Sequence, residues 1–419
     1  MVMILINEFK SRADANGIPV FTNAEWKAFR DTADKQDIKD ALATYIHENN
    51  VKYPFRQISE QKFVEMFRKF ASTSHIDWLK HPETVVEKFD YKYKYADMPL
   101  GVIEKSHYYN IVADRFQQEN RMTCGSASVD APLTIWNDLE KLKKMNWHFW
   151  RDGALEKSNI APTTFRSAFR LGTYVATQFK PSVAKFIYEY HNAVNVLDTS
   201  CGWGDRLAGF YATPSTELYV GCDPNPAVYE TYKKQCLAYE LALSNEKPMF
   251  QEYDDHFVCS GIKRVIIWNL PAEDVDWTQY HDTFDMYFTS PPYFDTEKYG
   301  VGTGAEGNQS WNRYDQFEVW RDEFFFKVSR MVWDTIKKDG FMMINIIEPS
   351  GKKGRHALCD DMVDTMKSFP DSYYVGKLGM RMMARPNSPD VKACFIEPIW
   401  TFRRGNSEYS APQGLENFY

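Results

Sequence analysis

At 419 residues, 44% of them hydrophobic, the chain is long enough for a packed core spread over two or three domains. A net charge of −7 argues against a protein that coats nucleic acid through an overall basic surface, while leaving room for an enzyme with a local basic groove. Apolar runs are too short for a membrane span, the opening MVMILINEFKSR lacks the build of a secretion signal, and the seven cysteines form no CxxC pair, so the expectation is a reduced, cytoplasmic protein with no bound metal and no membrane partner.

Residues 1–155 read as a mainly helical domain. Asn23 is the expected N-cap of a helix through Arg30, and Ile38, Leu42, Tyr45 and Ile46 recur at helical spacing. Phe63, Met66, Phe67 and Phe70 form a stripe that reads as core. Residues 75–105, with Pro82, Pro99 and Gly101, read as a looped connection. Further helices are expected from Leu133 to Trp150, whose Lys141, Lys143 and Lys144 read as a solvated face, from Pro162 to Phe179, and from Ser182 to Tyr190, with Pro181 in the first turn of the last.

Strands and ligand-facing turns follow. Val194–Leu197 is an apolar strand closed by Asp198, and Ser200, Cys201, Gly202, Trp203 and Gly204 make a glycine turn into a helix. Glycines there let the backbone approach a ligand. An acid at that strand end suits an amine-bearing ligand better than a pyrophosphate. A second strand, Leu218–Cys222, ends at Asp223 and Pro224, where a carboxylate can take the two hydroxyls of a ribose. A third, Arg264–Trp268, leads to Glu273 and Asp274, where a carboxylate can accept from an adenine amino group.

The run Phe284–Phe288 then ends abruptly at Thr289, Ser290, Pro291, Pro292, Tyr293 and Phe294. Two prolines have no N–H and must leave the sheet. They set a hydroxyl, free carbonyls and an aromatic face at the carboxyl end of a strand, where open α/β sheets bind ligands. A long loop rich in glycine and aromatics runs from Asp295 through Tyr299 to Asn312 and Arg313, and an amphipathic helix is expected from about Gln316 to Ile336. Gly340–Ile347 reads as a fifth strand. Behind it Lys352, Lys353 and Arg355 lie in a basic glycine turn suited to phosphate. Tyr373–Met382 and Lys392–Arg404 read as a terminal antiparallel pair, followed by a tail, 406–419.

With Thr289-Ser290-Pro291-Pro292-Tyr293 as the catalytic tetrapeptide and its lead residue, Asp198 to Gly204 as the first glycine motif, and Phe179-Lys180-Pro181-Ser182 before it, the chain resembles the S-adenosylmethionine-dependent amino-methyltransferases of nucleic acids over roughly residues 160 to 404. The post-catalytic loop is similar to loops of phage and bacterial DNA methyltransferases. The resemblance implies a Rossmann-like α/β domain over 156–405 with a seven-stranded, mostly parallel sheet. It implies S-adenosylmethionine held by Phe179, Lys180, Pro181, Asp198, Ser200, Gly202, Trp203, Gly204, Asp223, Pro224, Glu273, Asp274 and Thr289. It implies catalysis by Ser290, Pro291, Pro292 and Tyr293 on a DNA base contacted by Phe294, Tyr299, Asn312, Arg313, Lys352, Lys353 and Arg355. Serine in the first position leans towards cytosine N4 over adenine N6. An RNA enzyme of the same chemistry, or a silent methyltransferase-like subunit that binds nucleic acid or a partner, are the alternatives.

Overall fold

Helical periodicity governs the first third of the chain, and β-branched and aromatic runs govern the rest. The computed structural model describes residues 2–81, 94–95, 99–104, 109–126, 128–145, 147, 159–351, 354–382 and 395–405. Lys352, Lys353 and the tail lie outside the described residues. The chain divides into two compact units, one of Met1–Gln57, Gln118–Thr177 and Lys298–Gly304, the other of Ile58–Gln117, Gln178–Glu297 and Ala305–Tyr419. The division therefore does not run at residue 155, because Ile58–Gln117 groups with the sheet-bearing residues.

The first unit is built from helices around Leu5, Phe9, Trp26, Ile38, Leu42, Trp136 and Phe169. Helix Asn23–Arg30 is capped by Thr22, not by Asn23. The Thr22 hydroxyl accepts from the Glu25 N–H, and the Glu25 carboxylate returns to the Thr22 N–H at 2.7 Å, which satisfies two helix-end donors at once. Among the described residues the helix expected over Leu133–Trp150 is two pieces, Pro132–Trp136 and Leu139–Lys144, and 146 and 148–150 lie outside the described residues. Asp138 breaks it by capping the second, accepting from the Lys141 N–H at 2.9 Å. The helix from Pro162 stops at Gly172 and Thr173 is extended, so Phe179 lies outside it.

The second unit carries one large sheet. Its strands are β1 (Leu79–Lys80), β2 (Gly101–Ile103), β3 (Asn195–Asp198), β4 (Leu218–Cys222), β5 (Met249–Glu252), β6 (His256–Ser260), β7 (Arg264–Trp268), β8 (Phe284–Thr289), β9 (Ile336–Asn345), β10 (Ser372–Met382) and β11 (Phe395–Arg404). Their spatial order is β1-β2-β10-β11-β9-β8-β3-β4-β7-β6-β5. The block β9-β8-β3-β4-β7 is parallel throughout. Such strands are covered on both faces, which is why their sequences are nearly unbroken apolar runs. β11 enters antiparallel between β9 and β10.

Four strands were not legible as such. β5 and β6 extend one edge as an antiparallel hairpin, and β1 and β2 extend the other within the segment expected to be loop. β9 starts at Ile336, before the expected Gly340, and its pairing with β8 is interrupted between Ile336 and Phe341. Asp339 sits there at φ 69°, a left-handed kink that few side chains adopt. The expected helix after the long loop is a run of Phe317–Val319, Trp320–Phe326 in π geometry, and Lys327–Trp333.

Chain order sets the binding position. From β3 the chain moves outward to β4, and from β8 it moves the other way to β9, while β3 and β8 are neighbours. Their carboxyl ends, Asp198 and Thr289, therefore flank the switch point of the sheet, where a crevice forms.

Candidate active site at the strand switch point

Asp198 ties the two strand tips together. Its Oδ2 accepts from Arg206 Nε at 2.7 Å and from the Tyr219 hydroxyl at 2.6 Å. Its Oδ1 accepts from Thr289 Oγ1 at 2.9 Å and from Arg206 Nη2 and the Ser200 N–H, both at 3.2 Å. A carboxylate has about four lone-pair sites, so this one is fully engaged. The charge that the sequence offers to an amine-bearing ligand is thus neutralised inside the protein by Arg206, a partner the sequence reading missed. Behind the pair, the Phe179 ring lies 5.2 Å from the Arg206 guanidinium carbon and meets Phe288 edge-on at 5.6 Å. Pro181 opens helix Pro181–Tyr190 as expected.

The glycine turn keeps one open face. Gly202 has φ 57°, and a Cβ there would meet only the Ser200 carbonyl at 3.7 Å and Arg206 Nη2 at 4.0 Å. Gly204, at φ 72°, is crowded instead: a Cβ would fall 2.4 Å from Gln235 Oε1. Trp203, between them, is buried.

Asp223 follows β4 and is half-buried beside Pro224. It accepts from the Asn225 N–H at 2.9 Å and stands 3.0 Å from the Tyr232 hydroxyl. Loss of water pushes its pKa up to about 7, against the opposing pull of these two donors. Tyr232 also bonds the Gly202 carbonyl, so one side chain connects the glycine turn to the acid of the next strand.

At the third strand end the two acids part company. Asp274 is spent on Arg313, with contacts of 2.7 and 3.3 Å. Glu273 is buried; its Oε1 accepts from the Tyr314 hydroxyl at 2.8 Å and lies 3.1 Å from Arg313 Nη1. Its Oε2 is buried with no partner among the described residues. A buried acceptor left so is costly unless a ligand meets it.

The Pro-Pro turn lies beside β9 and β11. Ser290 Oγ is 3.4 Å from Asn345 Oδ1. Asn345 Nδ2 donates to the Pro398 carbonyl at 3.0 Å, which turns its amide oxygen towards Ser290. The Tyr293 hydroxyl donates to Glu397 Oε1 at 2.5 Å and lies 3.2 Å from the Asn345 carbonyl. Burial raises the Glu397 pKa, while the Tyr293 hydrogen bond and the nearby Lys180 charge hold it down. Lys180, itself buried, donates to the Gln178 carbonyl at 2.7 Å. Asn345 and Glu397 were not found from sequence. The one signal was an acid within the apolar run Phe395-Ile396-Glu397-Pro398-Ile399-Trp400.

Several expected substrate contacts are not gathered here. Phe294 is a correction: it has φ 53° and packs against Phe317, Trp320 and His356, so its ring belongs to the core and has no free face for a base. Tyr299 falls in Lys298–Gly304, which groups with the helical unit. Asn312 is exposed at a short helix, Ser310–Arg313, and Arg313 is committed to Asp274 and Glu273. Arg355 is exposed on a two-residue hairpin strand, Gly354–Arg355.

The mostly parallel strand order, with a glycine turn at its switch point, defines a Rossmann-like α/β fold. No protein-family model matches the sequence, and no curated protein matches it. Among solved structures the chain is similar to an S-adenosylmethionine-dependent O-methyltransferase from Thermotoga maritima, at 10% identity over 56% of this chain and 69% of that one, with a TM-score of 0.32. It is similar to the 1,6-didemethyltoxoflavin-N1-methyltransferase of Burkholderia thailandensis, at 14% identity over 54% and 78%, TM-score 0.32. It is also similar to Trm1 from Pyrococcus horikoshii, at 15% identity over 54% and 57%, TM-score 0.32. These likenesses carry no argument about family or substrate, and the fold rests on the chain's own strand order. Among the described residues no helix is long and apolar enough to cross a membrane.

Proposed function

We propose that the chain transfers a methyl group from S-adenosylmethionine to the exocyclic amino nitrogen of a DNA base, cytosine N4 ahead of adenine N6. The observation that carries this reading is the Ser290-Pro291-Pro292-Tyr293 turn at the tip of β8, beside the Asp198-closed tip of β3. The residues present fit the cofactor. Asp223 is a half-buried carboxylate suited to a ribose diol, Gly202 leaves its face open, and Glu273 Oε2 is an unmet acceptor. Glu273 takes over the adenine-amino role that the sequence reading gave to Asp274.

Bound there, the cofactor supplies an electrophilic methyl group, so no covalent enzyme intermediate is required. The protein's task is alignment. An aromatic amine shares its lone pair with the ring. Ser290 Oγ and the Pro291 carbonyl accept its two N–H groups and free that lone pair. Tyr293, its hydroxyl fixed by Glu397, offers its ring for stacking. A base in a duplex must be flipped out to reach such a turn.

The test is transfer of labelled methyl into duplex DNA by wild type and by Ser290→Ala. The expected result is label in DNA with wild type and a loss of roughly 100-fold in Ser290→Ala at unchanged cofactor affinity. Cofactor bound but no label in any nucleic acid would overturn the proposal in favour of a silent subunit, and label confined to RNA would move it to that polymer.

A further inference from the structure

We propose that strand β5, the open edge of the large sheet, pairs antiparallel with β5 of a second copy of this chain about a two-fold axis at Gln251, joining the two sheets into one. β5 ends the strand order and has β6 as its neighbour on one side alone. The phase of its backbone is fixed by the hairpin turn. The Tyr253 N–H donates to the His256 carbonyl at 2.9 Å, so position 253 directs its backbone groups to β6. That direction alternates along an antiparallel strand. Gln251 and Met249 therefore also face β6, while Phe250 and Glu252 turn their N–H and C=O to the open side. Such a row of outward groups is a template for another strand.

The side chains fit a copy of the same strand. Met249 and Tyr253 are large apolar side chains left 63% and 53% exposed. They share one face with Gln251, because strand side chains alternate with a period of two. Tyr253 is also the open end of a stack. Its ring lies 4.4 Å from His256 at 5° between planes, and His256 lies 4.2 Å from Trp268, its register partner on β7. With Gln251 opposite Gln251 across the axis, Met249 of each copy comes opposite Tyr253 of the other. Both are pairs without mutual hydrogen bonds, the closer kind, with Cα atoms about 4.5 Å apart. The Met249 thioether then covers the outer side of the Tyr253 ring and continues the row Trp268, His256, Tyr253 into the second copy. Between these pairs, Phe250 of each copy exchanges both backbone bonds with Glu252 of the other.

Neighbouring registers are worse. An axis at Phe250 brings Glu252 to Pro248, which has no N–H to give. An axis at Glu252 sets two Glu252 side chains directly opposite each other. Charge favours the antiparallel sense as well: Lys247 precedes the strand and Asp254 and Asp255 follow it, so each end meets its opposite sign. The contact is isologous, so it closes at a dimer.

Sedimentation equilibrium of the full chain, up to about 100 μM, tests the association. Wild type is expected to show a concentration-dependent dimer. Gln251→Glu sets two carboxylates together on the axis and should raise the dimer dissociation constant roughly tenfold or more, with the thermal midpoint of the monomer and cofactor affinity unchanged. Cross-linking tests the register. In Gln251→Cys the two new thiols meet within disulfide reach, and mild oxidation should give a covalent dimer that wild type does not form. In Glu252→Cys the two thiols stand two positions out of register and should stay unlinked. A wild type that sediments as a monomer throughout, a dimer no weaker in Gln251→Glu, or a cross-link that forms as readily in Glu252→Cys as in Gln251→Cys would overturn the inference, and each would leave the proposed function standing.

Discussion

Asp198→Asn separates a carboxylate that joins strand tips from one that meets a ligand. The pair it forms with Arg206 is shut away from water, with side-chain exposures of 0% for Asp198 and 3% for Arg206. The substitution keeps the shape and removes the charge. Arg206 is left buried without its counter-charge, and Tyr219 and Thr289 lose a charged acceptor. Breaking a buried pair by removing one partner costs about 3–5 kcal/mol, a large share of the roughly 5–15 kcal/mol that holds a typical domain folded. Arg206→Met should cost a similar amount, because Asp198 is then the stranded charge. The double variant should be less damaged than the sum, with a coupling of about 2–3 kcal/mol, the upper end for residues in contact. Equilibrium urea unfolding of the four proteins measures all three quantities. An Asp198→Asn protein that unfolds within about 0.5 kcal/mol of wild type yet no longer binds cofactor would refute the reasoning and return Asp198 to the ligand.

Three further outcomes are expected. Asp223, with its pKa at about 7 in the free protein, is protonated below that pH, whereas ribose hydroxyls donate to its ionised form. Cofactor affinity should therefore be full above pH 7 and weaken as pH falls through it, by up to about tenfold per unit. Calorimetry would see this slope flatten in Asp223→Asn, and an affinity that rises on acidification would contradict the assignment. Gly204→Ala should destabilise by about 1–3 kcal/mol, since it meets both a left-handed φ and Gln235. Gly202→Ala shares only the φ and should cost less in urea while weakening cofactor binding; equal stability losses would be the contrary result. Tyr293→Ala should cut turnover far more than cofactor affinity, and loss of cofactor binding alone would show that the ring serves the other ligand.

Much of the sheet could be read from residues because parallel strands announce themselves. Val196-Leu197, Tyr219-Val220, Val265-Ile266-Ile267 and Met342-Met343-Ile344 are apolar on consecutive positions, a pattern that burial on both faces requires. The edges were hidden for the same physical reason. Met249–Glu252 is largely exposed and Leu79–Lys80 is two residues long, so neither has the apolar run that marks a buried strand. The turns at the strand tips were legible where the backbone itself is unusual, at Gly202, Gly204 and Pro291-Pro292. They were not legible where function depends on distant pairing. Nothing local says that Asp198 meets Arg206, that Asp274 meets Arg313, or that Glu397 meets Tyr293. Phe294 looked like a stacking platform because an aromatic beside Tyr293 is ambiguous until Phe317, Trp320 and His356 are seen to enclose it.

Amino methylation of a nucleic-acid base at the Ser290 turn is the activity we propose. The most direct test is to incubate the protein with isotope-labelled S-adenosylmethionine and, separately, mixed-sequence duplex DNA, single-stranded DNA and RNA, and to weigh the nucleosides after digestion. Label is expected on the exocyclic nitrogen of cytosine or adenine from DNA, absent with Ser290→Ala. Label on a ring carbon, on a sugar hydroxyl, or undiminished in Ser290→Ala would contradict it.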